Sequence, residues 1–459
     1  MEEMEFSELF ELLESNRLRE LREKFREMPF ADTAEFIMSV ESEKTAVKLF
    51  RILSKDISAE VFAYLDADRQ EAIVNSITDS EIAMLMDELF VDDAVDFLEE
   101  VPANVVSRVL RNTDRETREI INRFLEYPEN SAGSVMTIEM VELHDRLTVA
   151  EAITSIRRSG VDKETIYTCY CIDDKRHLVG TLPLRRLLLN SLETKIKDIM
   201  QDDEQLIFVT TMDDRETVAA LAKKYDLLSV PVVDKESRLV GIITIDDIVD
   251  IIDEEATEDF EKMALMTPSE DEYLKTGVFS LVKNRIFWLL VLMISSTFTG
   301  RIIENFETKL AMVAGLTACI PMLMGTGGNS GNQVSTLVIR GLALGEIKPR
   351  DYFRILWKEI RVSVICGLIL AAANFLRMLV LRWTSGSYED TTVIFVVCLA
   401  VLFTVMFAKI MGCTLPVVAK LLHFDPALMA GPLITTLVDA VSLVIYFGFA
   451  NLIIDFSAL

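Results

Sequence analysis

The sequence predicts a multidomain membrane protein: an all-α superhelical N domain, a repeated α/β pair, a connecting segment and an all-α transmembrane domain of five helices. Three observations predict it. Charge is segregated, because residues 1–283 hold 63 Asp/Glu against 33 Lys/Arg, a net of −30, while residues 284–459 hold 10 against 13, a net of +3. Apolar stretches of membrane-spanning length follow residue 283. Residues 131–253 contain two degenerate copies of one pattern of strands and helices.

Residues 1–130 read as helical throughout. Leu, Phe and Ile recur at helical spacing in units such as SAEVFAYLD, RQEAIVNSIT, DSEIAMLMDELF and VDDAVDFLEEVP. Asp, Ser and Pro punctuate them, which gives a superhelix of short helices whose hand is left open. The opening MEEMEFSELF has neither a basic n-region nor an apolar h-region, so it is not a signal peptide and the soluble part is expected in the cytosol. The acidic balance attracts cations and argues against nucleic acid as a partner. The six cysteines show no CxxC or Cys/His ligand spacing, which argues against zinc and against a disulfide framework.

In residues 131–253 the first copy runs VMT (135–137), TVAEAI (148–153) and TCYCIDDKRHLVGTLPLRRLL. The second runs IMQ (199–201), TVAALA (217–222) and LSVPVVDKESRLVGIITIDDIV. Each reads as a short strand, a helix, two strands about a turn and a final helix, and the two are expected to pack as a pseudo-dimer. The pattern, with LVG strand ends at Val179–Gly180 and Val240–Gly241, resembles a tandem pair of CBS domains. That resemblance implies ATP or another adenine nucleotide as a cofactor, held through a Thr-x-x-Asp ending. Thr244 and Asp247 match this ending in the second copy. The first copy departs from it, with Thr181 followed by Leu182, Pro183 and Leu184, so a purely structural module stays open beside the nucleotide site.

Residues 254–283 form a charged, helix-permissive connector that Pro268 interrupts and that leads directly into the first span. Five apolar stretches follow, at about 286–304, 310–343, 360–382, 392–420 and 427–455, against the roughly 20 residues that a bilayer requires. Arg361 in the third and Lys409 in the fourth are expected to snorkel or to line a polar surface. The loop between the second and third spans carries Arg340, Lys348, Arg350, Arg354, Lys358 and Arg361. By the positive-inside rule this places the N-terminus in the cytosol and the C-terminus outside a cell membrane.

The last stretch, Ala427–Ile454, holds a single charge, Asp439. A carboxylate at a span centre costs on the order of 2.5–3.5 kcal/mol, so it marks a functional site. If the helix begins near Ala427, Asp439 lies about 18 Å into a core of roughly 30 Å, near the midplane. Thr435 and Thr436 lie on or near its face, and Gly431–Pro432 is expected to loosen the helix before it. Pairing of Asp439 with Lys409 or Arg377 is the structural alternative. The second stretch contains GTGGNSGNQ, Gly325–Gln333. Each glycine weakens a helix by roughly 0.8–1 kcal/mol relative to alanine, and broken helix in a membrane is confined to buried or cavity-lining positions. Glycine alone reads as a helix-packing seam; the amides of Asn329, Asn332 and Gln333 favour a permeation path. Gly327, Gly328, Asn329, Asn332, Thr435 and Thr436 are therefore pore-lining candidates around Asp439.

GGNSGNQ-x4-LVIRGLALGEI, the DPAL-x2-GP-x3-T-x2-D run beginning at Asp425, and the helical and CBS-like modules before them resemble the MgtE family of magnesium channels over essentially the whole chain. The resemblance implies a homodimer in membrane lipid with one pore on the two-fold axis. It implies that the carboxylates matching Asp439 from both subunits recognise Mg2+. It further implies closure by cytosolic Mg2+ acting through the soluble domains and a plug helix within Glu254–Lys275, and no enzymatic activity.

The chemistry agrees. Mg2+ takes oxygen ligands and dehydrates reluctantly, so two facing carboxylates with amide and carbonyl oxygens suit a hydrated ion. The acidic half supplies candidate regulatory ligands: Asp92, Asp93 and Asp96 on one helix, Asp226, and the run of Asp246, Asp247, Asp250, Glu254, Glu255, Glu258 and Asp259. Like charges at i, i+4 repel, and divalent ions between such surfaces favour a compact state. An ion-coupled secondary transporter, with Asp439 as the coupling carboxylate, is the alternative. An aspartyl protease needs two carboxylates sharing a site, and no second Asp lies deep in a span.

Overall fold

The structure is a computed structural model that describes residues 6–160, 163–201, 206–269, 273–274, 276–385, 391–429 and 431–454. The chain divides into two compact units, residues 1–252 and 253–459.

Among the described residues the first unit opens with ten short helices: α1 (Ser7–Glu14), α2 (Leu18–Glu27), α3 (Phe30–Ser39), α4 (Glu43–Ile52), α5 (Lys55–Ala63), α6 (Ala67–Ser76), α7 (Asp79–Met86), α8 (Val91–Glu100), α9 (Ala103–Asn112) and α10 (Arg115–Phe124). Local chemistry sets their ends. Thr78 and Glu81 form a reciprocal capping box at α7, and Asp114 accepts from Glu116 N and Thr117 N at α10. Their apolar faces merge into one core, where Phe62 meets Phe97 edge-on at 5.1 Å. On α8, burial of Val91, Ala94, Val95, Phe97 and Leu98 fixes the rotation of the helix that carries Asp92, Asp93 and Asp96.

Two three-stranded sheets follow. In the first, β1 (Glu142–His144) pairs parallel with β2 (Thr168–Ile172), which pairs antiparallel with β3 (Leu178–Pro183); α11 (Val149–Ser159) and α12 (Leu184–Leu189) complete the copy. The second repeats this order with β4 (Val209–Thr210), α13 (Arg215–Tyr225), β5 (Ser229–Val233) and β6 (Leu239–Thr244). The register shifts at Cys171/Ile172 and at Val232/Val233, the matching place in each copy. The VMT and IMQ segments, which the repeat assigns to their own copies, pair across copies instead. Thr137 bridges Ile242 of β6, and Gln201 bridges Thr181 of β3. Gly180 and Gly241 permit this, because a Cβ there would lie 2.6 Å from Gln201 O and 2.7 Å from Thr137 O.

From β6 the chain enters α14 (Ile245–Met263), so the helix of the connector is the extension of the second copy's last helix and stops at Met263, short of the 254–275 span expected for a plug. Leu265 then takes a left-handed conformation at φ 55°. The end of the expected plug falls partly on residues 270–272 and 275, which lie outside the described residues.

The second unit is helical: α15 (Val278–Asn305), α16 (Glu307–Met312), α17 (Ala314–Ala343), α18 (Tyr352–Ser385), α19 (Thr391–Leu421) and α20 (Gly431–Ile453). Among the described residues four helices are long and apolar enough to cross a membrane: α15, α18, α19 and α20 with its preceding turn. The 30-residue α17 has the length, and its Gly/Asn segment lowers its apolarity. α19 packs on α17, α18 and α20 and is the most buried of the four apolar helices.

Two expectations are corrected here. GTGGNSGNQ does not break α17, which runs as one helix from Ala314 to Ala343. Packing outweighs the intrinsic weakness of glycine, since Gly327, Gly328 and Gly331 lie where a Cβ would come within 2.7–2.9 Å of α19 or α20 side chains. Gly431–Pro432 does not loosen a helix interior, because α20 starts at Gly431. Proline is well suited to that position, where its missing N–H is no loss. Asp439 thus lies about 12 Å, not 18 Å, from the helix start at 1.5 Å per residue.

Candidate functional site

Two groups of oxygens stand out, one in each unit. In the first unit α8, the loop before β2 and the start of α14 bring together Asp92, Glu164 and Asp247, whose carboxylate oxygens lie within 4.8 Å of one another. Asp92 is 7% exposed, and its Oδ1 accepts from Asp93 N at 3.0 Å. Thr244 Oγ1 lies 2.9 Å from Glu164 Oε1 and 2.8 Å from Asp247 Oδ2. A hydroxyl has one proton, so it serves one carboxylate and leaves the other without that donor. Glu164 Oε2 is buried without a hydrogen-bond partner among the described residues.

The electrostatics record the crowding. Burial, then the Glu164, Asp93 and Asp247 charges, hold Asp92 well above the usual carboxylate range. Burial with nearby Asp247 pushes Asp93 up to about 7, and burial with Asp247 and Asp93 pushes Asp96 up to about 8. Glu164 is raised by burial to about 7 and Asp247 to about 6, in each case against the hydrogen bond from Thr244. These groups favour either protons or a cation. With Mg–O distances of about 2.0–2.1 Å, the three oxygens suit Mg2+ after a small contraction, or through its waters. Asp246, Asp250 and Glu254 lie on the exposed side of α14, and Asp226 caps α13 in a left-handed conformation at the surface. The structure does not gather these four into the cluster. Thr244 and Asp247, the nucleotide candidates, are inside it.

In the second unit the end of α14 meets the turn before α20. Lys262 forms an ion pair with Glu258 and another with Asp425 at 2.8 Å. Partial burial opposes the ammonium, but the bonds to Asp425 and Glu258 outweigh it and hold its pKa above the usual lysine range. Burial and the Asp425 charge raise Asp259. Met263 packs with Ile339 and Ala427, and its carbonyl lies where a Cβ on Gly431 would be 3.0 Å away. Glu255 lies one turn before Glu258 on the same helix.

Further along α20 is Asp439. Its Oδ1 is buried and has no hydrogen-bond partner among the described residues, and no ion pair there joins it to Lys409 or Arg377. Arg377 instead holds Asn374 Oδ1, and Lys409 is 5% exposed within α19. Asn332 Nδ2 donates to Thr435 Oγ1 at 3.3 Å, while Asn332 Oδ1 is buried and unpartnered. Thr435 and Thr436 return their hydroxyl protons to Gly431 O and Pro432 O. Gly327 and Gly328 are buried against α19 and α20, and Gly325, Asn329 and Gln333 form an exposed stripe at i, i+4 and i+8 on α17. Sequence reasoning missed Glu164, Thr404 and Ser442; the last two are fully buried hydroxyls without partners among the described residues.

Comparisons with known proteins identify the modules of the chain. Residues 320–449 match the MgtE family, described as a divalent cation transporter, residues 28–130 match the MgtE intracellular N domain, and residues 196–254 match a CBS domain. The chain is 35% identical to the magnesium transporter MgtE of Thermus thermophilus, over 99% of this chain and 100% of that protein. It is 30% identical to MgtE of Bacillus subtilis over 96% of this chain and 95% of that one. A crystal structure of the soluble part of a magnesium transporter superposes with a TM-score of 0.52 at 33% identity, covering 56% of this chain and all of that one. The cytosolic domain of the Mg2+ channel MgtE in complex with ATP gives 0.50 at 33% identity, covering 53% and 98%.

Proposed function

The chain belongs to the MgtE family and is a magnesium transporter, and from that premise we propose that Asp439 is the ion-recognising group of a channel-type pore that cytosolic Mg2+ closes. The observation that carries this is the carboxylate itself. Asp439 stands in an otherwise uncharged membrane helix, with one oxygen unpartnered among the described residues, next to the helix whose exposed stripe bears Asn329 and Gln333. Amides on an apolar span face a polar path or a partner chain in preference to lipid. A single carboxylate is too little for a hydrated divalent ion, and a homodimer supplies a second across a two-fold axis. The protein sits in a cell membrane among lipid, with its N-terminus cytosolic and its C-terminus external, as the basic loop between α17 and α18 supports.

Closure belongs to the acidic groups. Mg2+ binds among Asp92, Glu164 and Asp247, with Asp93 and Asp96 beside them, and draws the helical domain onto the CBS pair. Glu258 and Asp259 on α14 lie near Asp425, with Glu255 one turn before Glu258, and together they form the plug end of the gate. ATP or a related adenine nucleotide binds the CBS pair, and the solved relative holding ATP supports this. With Thr244 and Asp247 inside the acidic cluster, a nucleotide reaching them brings Mg2+ as counterion.

The test is Mg2+ flux into proteoliposomes at graded internal Mg2+, for the chain and for Asp439→Ala. Flux that follows the electrochemical gradient of Mg2+, falls as internal Mg2+ rises and disappears in the variant supports the reading. Flux that requires a second ion gradient would replace the channel with a coupled carrier.

A further inference from the structure

Beside Asp439 three helices meet at one glycine. A Cβ on Gly327 of α17 would lie 2.7 Å from Thr404 Cγ2 of α19, 2.8 Å from Val438 Cγ1 and 3.0 Å from Ser442 Oγ of α20. Thr404 and Ser442 are both 0% exposed. A hydroxyl inside a helix ordinarily returns its proton to a carbonyl one turn back, as Ser330, Thr435 and Thr436 do here. Neither Thr404 nor Ser442 does so, and neither has a hydrogen-bond partner among the described residues. Leaving such a group unsatisfied costs about 1–3 kcal/mol each. Two of them at one junction therefore point to a shared partner that is not protein.

The third oxygen lies on the same helix. Ser442 is three residues beyond Asp439, and side chains at that spacing stand about 5–6 Å apart on one face. That spacing between Cβ atoms is within the span of one bridging water, and neither Ser442 Oγ nor Asp439 Oδ1 bonds the other directly. Asp439 Oδ1 is the buried, unpartnered oxygen of the carboxylate. A buried water typically makes about three hydrogen bonds and needs two to four polar partners and room for about one probe sphere. Two hydroxyl donors and one carboxylate acceptor supply the partners.

We infer that Thr404 and Ser442 hold one water molecule at the α17–α19–α20 junction, and that this water donates to Asp439 Oδ1 and leaves Oδ2 for the ion. Thr404 and Ser442 are then positioning residues. They act on the ion through the carboxylate and fix which oxygen, at what angle, meets the hydration shell. A carboxylate free to turn would present one oxygen or two and would accommodate larger, more weakly hydrated divalent ions. The bound water thereby contributes to discrimination between Mg2+ and Ca2+. The inference rests on the reading of Asp439 as the ion site.

The experiment measures Mg2+ influx and its competition by Ca2+ in proteoliposomes containing the full-length chain. Thr404→Val keeps the side-chain shape and removes the hydroxyl; Ser442→Ala removes the other. Each is expected to lower the preference for Mg2+ over Ca2+ by about ten-fold, the scale of one hydrogen bond to a charged group. Because both hydroxyls serve one water, the double variant is expected to lose no more than a single one. The conservative Thr404→Ser and Ser442→Thr are expected to retain the preference. Unchanged preference in Thr404→Val, or losses that multiply in the double variant, would overturn the inference. Asp439→Ala, run alongside, separates the two readings. If it transports as the parent does, the pore assignment itself falls; if it is inactive while Thr404→Val discriminates normally, only the bound water falls.

Discussion

The two carboxylate sites are built on opposite plans. In the first unit Asp92, Glu164 and Asp247 converge from three elements of one chain. In the second unit Asp439 stands alone, with amides and hydroxyls for neighbours. The dense site suits capture and release of a partly dehydrated ion, since three crowded anions repel one another until a cation or protons arrive. The sparse site suits passage: enough charge to select a divalent ion, too little to strip its water and hold it. On the proposed reading one chain meets the same ion twice, once as a signal and once as cargo.

The comparison breaks first at Asp439. If it is the only charge on the path, Asp439→Ala should reduce Mg2+ flux by on the order of 100-fold, which corresponds to about 2.7 kcal/mol of lost ion stabilisation. A residual flux within a factor of two of the parent would mean that the selecting charge lies elsewhere. The dense site should respond more gently, because it retains two carboxylates when one is neutralised. Glu164→Gln or Asp247→Asn should raise the Mg2+ concentration that protects the soluble unit from proteolysis by about ten-fold, the worth of one charge-assisted contact. Unchanged protection in both would remove this cluster from the sensor.

Acidity sharpens the contrast. Asp93, Asp96, Glu164 and Asp247 are held at about 7, 8, 7 and 6, above unfolded carboxylates. A carboxyl raised on folding binds more protons folded than unfolded, so its packing is favoured at low pH and weakens as pH rises through the unfolded value to the folded one. Without divalent ions, the first unit should lose thermal stability between about pH 4 and pH 8. Saturating Mg2+ should abolish that loss, and the apparent Mg2+ affinity should weaken as pH falls through 7 and protons compete. Melting curves against pH, with and without Mg2+, measure both. A flat profile without Mg2+ would mean that the carboxylates do not crowd in solution.

What was legible in the sequence follows the same division. Asp439 announced itself because a lone charge in an apolar run is costly wherever the helix packs. Asp92 and Asp247 were legible as members of acidic runs, and the CBS-like repeat located the second. Glu164 was not, because it sits in a loop with no local pattern and reaches Asp92 and Asp247 only through tertiary structure. The Gly/Asn motif was legible as special and misread in form. Its glycines weaken a helix in isolation, yet at Gly327, Gly328 and Gly331 they serve close approach to α19 and α20, which keeps α17 continuous. Thr404 and Ser442 gave no signal, since hydroxyls in spans usually satisfy themselves one turn back.

The smallest expected effect concerns the cation that pairs with the acidic end of α14. Lys262 pairs with Glu258 and Asp425 and is 25% exposed, so its charge occupies the place that a divalent ion would take between α14 and the turn before α20. On the proposed reading this tethered cation would hold the end of α14 against that turn even when Mg2+ is scarce and so set a basal level of closure. Lys262→Gln removes the charge and keeps the length of the side chain. Flux at low internal Mg2+ should rise a few-fold, in line with about 1 kcal/mol for a partly exposed pair, and closure at high internal Mg2+ should survive because the ion then fills the vacated place among Glu258, Asp259 and Asp425. A Lys262→Glu, Asp425→Lys exchange should return basal flux toward the parent level. If Lys262→Gln instead abolishes closure at all Mg2+ concentrations, the lysine is part of the gate proper. If it leaves basal flux unchanged, the ion pair is only a surface contact and α14 is held there by Met263 packing on Ile339 and Ala427.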